Sequence, residues 1–210
     1  MRAAPLRLAL ALLALAGCAR VPPTVGDPAP TLGDLDAERA YTRTLERYSD
    51  RGEIYALFDT RLFAGATLQT PAFREARLRR RAAFEVLPPA KVDALLAEEL
   101  AQAAAAHELF LGVHVNESRY DDFDQRSSIW RVVLVTPSGE VAPQRVQRIG
   151  RADLPMRAYY PYVGGFWVGY RLRFPRQHAD GTPVIPAYSQ RVTLRLASTL
   201  GQLDLDVAAR

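Results

Sequence analysis

The spacing of hydrophobic residues changes near Glu108, and this change limits the fold more than any other feature of the chain. Before Glu108, long stretches carry apolar residues three or four positions apart, which is typical of helices with one buried face. After Glu108, apolar and polar residues alternate through most of the chain, as in strands with one buried face. The sequence therefore predicts helices mainly in the first half and antiparallel strands in the second.

Three helices are predicted in the first half. The first begins at Asp34 and ends between Ser49 and Gly52, and its apolar stripe is Leu35, Tyr41, Leu45 and Tyr48. The second begins at the capping pair Thr70-Pro71 and runs to about residue 84. The third begins at Pro88-Pro89 and ends near His107, and its apolar face is Val92, Leu95, Leu96 and Leu100.

About seven strands are predicted from alternation and from the turn-forming residues between them. They lie at residues 54–68, 109–115, 129–135, 141–149, 166–174, 190–197 and 202–207. The turn sequence Thr136-Pro137-Ser138-Gly139 indicates a hairpin between the third and fourth of these strands. We expect an α+β fold: one antiparallel β-sandwich domain over residues 34–210, with an N-terminal helix and a two-helix insertion at about 70–107 after the first strand.

Residues 1–18 have the layout of a secretory signal peptide. Arg2 and Arg7 are followed by an apolar run from Leu8 to Ala16 and then by small residues. The run is about half of the roughly 20 residues that a membrane-spanning helix needs, so we expect cleavage rather than a transmembrane anchor. Cys18 is the only cysteine, which excludes an intramolecular disulfide.

The segment Leu15-Ala16-Gly17-Cys18 resembles the lipobox of bacterial lipoproteins. The resemblance implies that residues 1–17 are removed and that Cys18 carries thioether-linked diacylglycerol and an acyl chain on its amine. Two or three such chains would hold the protein on a membrane. By the family's sorting rule for Gram-negative envelopes, Ala19 implies the outer membrane, with the body facing the periplasm. The alternatives are an ordinary secretory peptide with an incidental cysteine, or a buried thiol.

The residues after the cysteine predict a tether. Residues 18–33 contain VPPTVGDPAP, which is rich in proline and poor in apolar residues. Beyond the lipobox, the body is similar to uncharacterised lipoproteins of bacterial envelopes, and this general resemblance transfers no activity and no site. The implied partners are a membrane, through the anchor, and an unidentified envelope protein.

The charge of the mature chain argues against nucleic acid as a partner. Without Arg2 and Arg7, 25 basic residues face 23 acidic residues. A nearly neutral chain has no general field that gathers phosphates, and export removes it from nucleic acid. A local basic segment remains at residues 77–81, RLRRR, on the second helix. Anionic head groups would suit it, but a solvated helix face is the favoured interpretation.

The acidic segment between two predicted strands is a weak candidate for a calcium site. Asp121, Asp122 and Asp124, with Asn116 or Glu117, offer oxygen ligands of the kind that Ca²⁺ prefers. Their spacing lacks the alternate-residue ligands and the glycine of a helix-loop-helix calcium loop. A solvated turn with Arg119 or Arg126 as counter-charge is favoured, and we predict no metal and no cofactor other than the acyl groups on Cys18.

Aromatic residues are densest at residues 159–170. Alternation places Phe166 and Tyr170 on the buried face of the strand, and it leaves four aromatic side chains as a possible binding patch. These four are Tyr159, Tyr160, Tyr162 and Trp167. Tyrosine and tryptophan combine apolar area with a polar group, which suits a surface that binds protein, peptide or glycan. Loop anchoring and edge packing are the alternative.

Catalytic motifs are not apparent. His107, His114 and His178 are far apart in sequence, and none stands in a metal motif such as HExxH; no GxSxG is present. We therefore predict no enzyme. The expected function is a lipid-anchored envelope lipoprotein that acts as a structural or protein-binding module. The alternatives are a periplasmic carrier or sensor of an apolar ligand and, with less support, an envelope hydrolase.

Overall fold

The computed structural model describes residues 28–57 and 59–210. The predicted lipidation site Cys18 and the first part of the tether lie outside these residues. The described helices are α1 (Leu35–Tyr48), α2 (Pro71–Glu85), α3 (Pro89–Ala105) and α4 (Leu154–Tyr159). The strands are β1 (Ser49–Ala56), β2 (Asp59–Leu68), β3 (His107–Val115), β4 (Arg131–Thr136), β5 (Gly139–Val141), β6 (Arg145–Arg151), β7 (Val168–Phe174), β8 (Arg191–Ser198) and β9 (Gly201–Ala208).

These strands form two antiparallel sheets. The five-stranded sheet has the order β1-β2-β3-β7-β6, and the four-stranded sheet has the order β5-β4-β8-β9. The predicted α+β class with antiparallel strands is confirmed. The predicted number of about seven strands is wrong, because residues 54–68 form a hairpin in which Ala56 pairs with Asp59, and because residues 141–149 are divided between β5 and β6 of different sheets.

Local sequence signals set the helix starts. The side chain of Asp34 accepts hydrogen bonds from the backbone nitrogens of Asp36 and Ala37, and the Thr70 hydroxyl accepts one from Phe73. Such caps satisfy donors that lack partners within the helix. Helices α2 and α3 lie between β2 and β3 in the chain, where the sequence predicts the helical insertion.

One hydrophobic core lies between the two sheets. Fully buried members from the five-stranded sheet include Leu62, Leu111 and Tyr170, and those from the four-stranded sheet include Leu134, Leu194 and Leu205. The alternation of residues 109–115 correctly predicts this buried face. The opposite face of β3 is buried too, because Phe110 lies beneath the helices rather than in solvent.

The helices cover the outer face of the five-stranded sheet through a second core. It contains residues of α1, α2 and β3 and of the segment that runs from α4 to β7. Its buried members include Tyr41, Leu45, Tyr48, Phe73, Phe110, Met156, Tyr160, Tyr162, Val163 and Trp167. The central part of the five-stranded sheet is therefore packed on both faces.

Three neighbouring glycines allow the segment between α4 and β7 to pack directly on the five-stranded sheet. Gly65, Gly112 and Gly169 pair across β2, β3 and β7 and form a stripe without side chains, which we call the glycine stripe. A Cβ atom at Gly65 would lie 2.7 Å from the Tyr162 ring, and one at Gly169 would lie 2.7 Å from the Met156 methyl carbon. The missing side chains thus allow residues 156–167 to lie directly on the sheet.

Candidate functional site

A cleft of about 490 Å³ lies between α2, α3, α4 and the outer face of the five-stranded sheet. Both signs of charge line it, with Arg74, Arg77, Arg81 and Arg171 beside Glu85, Glu98, Glu99, Glu108 and Asp153. Apolar lining residues include Leu78, Leu95, Phe110, Ile149 and Met156. We call it the charged cleft. Its volume lies in the range of small-molecule sites.

Arg74 connects three elements at this cleft, although only 2% of its side chain is exposed. Its Nε donates to the Gln69 carbonyl oxygen at 3.0 Å, Nη1 to Glu99 Oε2 at 2.5 Å and Nη2 to Glu108 Oε2 at 2.7 Å. All three nitrogens of the guanidinium are therefore engaged. Because Glu99 is on α3 and Glu108 on β3, Arg74 holds α2 to both.

Arg77 lies one helical turn further along α2 and shares Glu99 with Arg74. Its Nη2 donates to Glu99 Oε1 at 2.6 Å and its Nη1 to the Tyr160 hydroxyl at 3.4 Å, while that hydroxyl donates to Gln69 Oε1 at 3.3 Å. Burial opposes the charge of Arg77, but Tyr160 and Glu99 outweigh it and raise the pKa of the guanidinium. Both oxygens of Glu99 thus accept hydrogen bonds from α2.

A second buried ion pair lies where the predicted tether meets the body. Arg80 donates from Nη1 and Nη2 to the two carboxylate oxygens of Glu38, at 2.6 Å and 3.0 Å, and Nη2 also donates to the Pro30 carbonyl oxygen at 3.1 Å. Burial alone would raise the pKa of Glu38, but hydrogen bonds from Arg80 and the Leu32 nitrogen hold it below its usual range. Pro30 and Leu32 are thereby fixed to the body.

The basic segment 77–81 is not a solvated face throughout. Arg79, with 75% of its side chain exposed, pairs with Glu75, and the partly exposed Arg81 pairs with Glu85. Arg77 and Arg80 point inward, because the helical period places residues three apart on one side of α2. The predicted solvation is therefore wrong for Arg77 and Arg80.

The predicted aromatic patch is mostly buried. Tyr160, Tyr162 and Trp167 are 5%, 8% and 3% exposed, and Tyr159 is half-buried. The expectation of a surface patch is wrong for the three buried residues, since they pack over the glycine stripe and Phe110. Alternation failed here because β7 begins only at Val168, so that Phe166, predicted to be buried, is 58% exposed.

Two aspartates of the acidic segment, Asp121 and Asp122, accept hydrogen bonds from other residues of the protein. Asp121 accepts from Arg148 Nη2 at 2.7 Å and from the Tyr170 hydroxyl at 2.6 Å. Asp122, which is 8% exposed, accepts from the Ser128 hydroxyl at 3.0 Å, and Asp124 is exposed. The counter-charge of Asp121 is thus Arg148, whereas the predicted counter-charge Arg119 pairs with Glu117 of the same segment at 2.5 Å. These carboxylates fix the connection between β3 and β4.

The histidines occupy separate places. His107 and His114 stand at opposite ends of β3, about 24 Å apart at the rise of an extended strand, and His178 follows β7. His107 Nδ1 accepts from Arg176 Nη1 at 3.0 Å. Burial, with the charge of Arg176, lowers the pKa of His107 to about 4. The imidazole ring is therefore neutral at pH 7, and the lone pair on its Nδ1 accepts the hydrogen bond from Arg176.

Only a few features of the sequence indicate the charged cleft. Arg74 follows Phe73 and stands four residues before Leu78, so a charge lies on the apolar side of a helix. Glu108 likewise opens an apolar strand beside Leu109. Ionic residues at such positions need partners, and this requirement is the clue to the pairing of Arg74 with Glu108. The identity of the partners depends on the tertiary fold.

Within residues 28–57 and 59–210, no helix is long and apolar enough to cross a membrane. In the same part of the chain, no group of three or more His, Cys, Asp and Glu side chains is arranged to hold a metal ion. No protein-family model, no curated protein and no solved structure matches the sequence.

Proposed function

We propose that the protein is a lipid-anchored lipoprotein of a bacterial cell envelope whose body is a non-catalytic module that binds another envelope component. The lipobox-like segment ending at Cys18 and the proline-rich tether support the anchor. In this proposal the two sheets are a β-sandwich, and the helices on its outer face form one wall of a binding cleft.

The observation that carries the proposal is the reciprocal pairing of charges in the charged cleft. Arg74 and Arg77 donate to Glu99, and Arg74 also donates to Glu108. A general acid or base must exchange a proton with a substrate, so its ionisable group has to be accessible to that substrate. Glu99 accepts hydrogen bonds from the buried Arg74 and the partly buried Arg77, and Glu108 accepts one from Arg74. Carboxylates held in this way serve better as rigid walls than as proton carriers.

The lining of the charged cleft suggests the kind of partner. Phe110 and Met156 offer apolar contact, while Arg81 and Glu85 are partly or fully exposed and offer both signs of charge. A surface loop of a protein presents the same mixture, with an apolar anchor surrounded by polar groups. We therefore propose a protein segment as the occupant.

A second candidate function is a carrier of a small amphipathic ligand. The volume of about 490 Å³ and the apolar residues Leu78, Leu95 and Ile149 favour it. A carrier would retain its ligand through purification, whereas a binding module would exchange partners.

Site-specific photo-crosslinking in cells tests the proposal. A photoreactive phenylalanine at Ile149, which lines the cleft and is 48% exposed, is expected to form an adduct with one envelope protein. Tyr188, which is 68% exposed and lies outside the cleft, is the matched control position. Identical adducts at both positions, or none at either, would contradict the binding module. A small molecule in the native mass spectrum of the purified protein would instead favour the carrier.

A further inference from the structure

Three arginines lie together on the outer face of the five-stranded sheet, at its β6 edge. Arg145 on β6 is directly opposite Arg173 on β7, and Arg171 stands two residues before Arg173 on the same face of the strand. All three residues are exposed, and Gln147, opposite Arg171, is exposed as well. We call the three arginines the arginine face.

The charges of the arginine face are not neutralised. Among the residues that the structure describes, no carboxylate lies within 4.0 Å of any of the three guanidinium groups. Glu108 is opposite Arg173 on β3, but its Oε2 accepts from Arg74. Like charges directly opposite one another in a sheet are destabilising, so folding alone does not account for this arrangement.

On the exposed face of the four-stranded sheet, arginine side chains donate hydrogen bonds to acceptors on neighbouring strands. On the four-stranded sheet, Arg195 donates to Asp204 at 2.8 Å and to Glu140 at 3.1 Å, and Arg131 donates to Glu140 at 3.2 Å. There Arg131 and Arg195 each have an acidic neighbour on an adjacent strand, and Arg191 donates to the backbone carbonyl oxygen of Asp206. The arginine face lacks such neighbours and is therefore available for an external anion.

We propose that the arginine face binds the phosphate groups of an anionic membrane surface. Guanidinium groups bind phosphate oxygens through paired donors, and three of them on an exposed sheet surface match an array of head groups better than a single enclosed anion. The choice of a membrane rests on the proposed anchor: eleven residues, 19–29, can span at most about 34 Å at about 3.1 Å per residue, and Pro30 is fixed to Arg80. The body is thus held near a bilayer.

Co-sedimentation with lipid vesicles tests this inference. The probe is the mature chain from residue 18 onward carrying Cys18→Ser, which has neither the signal segment nor acyl groups, mixed with vesicles of phosphatidylcholine alone or of phosphatidylcholine with phosphatidylglycerol. We expect binding only to the anionic vesicles, with a decrease at high salt. Each arginine near such a surface contributes about fivefold to binding, so Arg145→Gln, Arg171→Gln and Arg173→Gln together should weaken it about 100-fold.

A matched variant separates the site from net charge. Arg43→Gln, Arg119→Gln and Arg126→Gln remove the same three charges from exposed positions elsewhere, and they should leave most of the binding intact. Equal losses in both triple variants, or no binding to anionic vesicles, would overturn the proposal. Tight binding of soluble pyrophosphate at the same three arginines would also overturn it in favour of a soluble anion.

The proposed lipid anchor and the proposed membrane binding by the arginine face can be refuted independently. Because the probe carries no acyl group, vesicle binding reports on the arginine face and not on the anchor at Cys18. Loss of the anchor with retained vesicle binding would refute only the lipoprotein proposal. Relief of like-charge repulsion should leave the Arg145→Gln variant at least as thermally stable as the parent, which separates lost binding from lost folding.

Discussion

The ring of Tyr160 stacks on the ring of Phe110, with centroids 3.7 Å apart and planes within 5° of parallel. This contact joins the segment after α4 to the centre of the five-stranded sheet, and the same segment supplies Tyr162 and Trp167 to the core beneath the helices. The stacked pair also lines the charged cleft. The packing of residues 156–167 on the sheet therefore shapes the candidate site.

The glycine stripe should be intolerant of side chains. A methyl group at Gly65 would lie 2.7 Å from the Tyr162 ring, whose hydroxyl is bound to Thr67 at 2.7 Å and is therefore not free to move away. We expect Gly65→Ala to lower the free energy of unfolding by about 1–3 kcal/mol, as overpacking usually does. Urea unfolding followed by circular dichroism measures the change.

Gly33→Ala is the control for this prediction. A Cβ atom at Gly33 meets no atom within 4 Å, so its substitution should change stability by less than about 0.5 kcal/mol. Equal effects of the two substitutions would show that the segment does not lie tightly on the sheet.

Arg74 should be among the least replaceable charged residues. Arg74→Met leaves the partners Glu99 and Glu108 without the charge that Nη1 and Nη2 supply. Breaking one side of a buried ion pair is destabilising by about 3–5 kcal/mol, and we expect a loss of that order in urea unfolding. Arg79→Met, at a position with 75% of the side chain exposed, should be nearly neutral.

A double variant distinguishes lost charge balance from lost packing at Arg74. Glu108 has Arg74 as its ion-pair partner, whereas Glu99 also pairs with Arg77. Combining Arg74→Met with Glu108→Gln removes the uncompensated charge at Glu108, leaves the pair of Glu99 and Arg77 in place, and should recover part of the stability. A double variant less stable than Arg74→Met itself would contradict the ionic role of this cluster.

The sequence predicted those parts of the fold that depend on near neighbours. Asp34 and Thr70-Pro71 start their helices where predicted, because a cap acts within three residues. The β1–β2 turn was missed, because Leu57 adopts a positive φ of 59° without the glycine or asparagine that normally marks such a position. Residues 54–68, rich in aromatic and branched side chains, then resembled one long strand.

The candidate site could not be predicted in the same way. Arg74 and Glu108 are 34 positions apart, and Glu38 and Arg80 are 42 apart, so no local pattern connects them. The burial of Trp167 likewise depends on Gly112 of another strand. Periodicity describes which face of an element is apolar, but it does not show that both faces are covered in the central part of the five-stranded sheet.

His107 should make stability depend on pH below neutrality. Its pKa is lowered to about 4 in the folded protein from an ordinary value of 6.5, by burial and by the charge of Arg176. Between pH 4 and pH 6.5 the unfolded chain binds a proton at His107 that the folded protein does not bind. The contribution of neutral His107 to the free energy of unfolding is therefore complete above pH 6.5 and is lost as the pH falls toward 4.

His107→Gln should reduce this pH dependence. Urea unfolding at neutral pH and at a pH between 4 and 6.5 measures how the free energy of unfolding changes with pH in the parent and in the variant. The other titratable groups are the same in both proteins, so their effects cancel in the difference. An unchanged slope would mean that His107 titrates normally in the folded protein.

Both tryptophans should be shielded from solvent. Trp130 is 6% exposed and Trp167 is 3% exposed, and the sequence contains no others. We expect fluorescence emission at short wavelength, weak quenching by iodide in the folded protein and strong quenching after unfolding in urea. Strong quenching in the folded state would contradict the burial of at least one of the two tryptophans.

The intact mass of the protein purified from a membrane fraction tests the proposed lipoprotein most directly. The native chain should begin at Cys18 and carry the added mass of diacylglycerol and an acyl chain, and the Cys18→Ser variant should lack that mass. An unmodified native chain that still begins near Met1 would contradict the proposed anchor and envelope location.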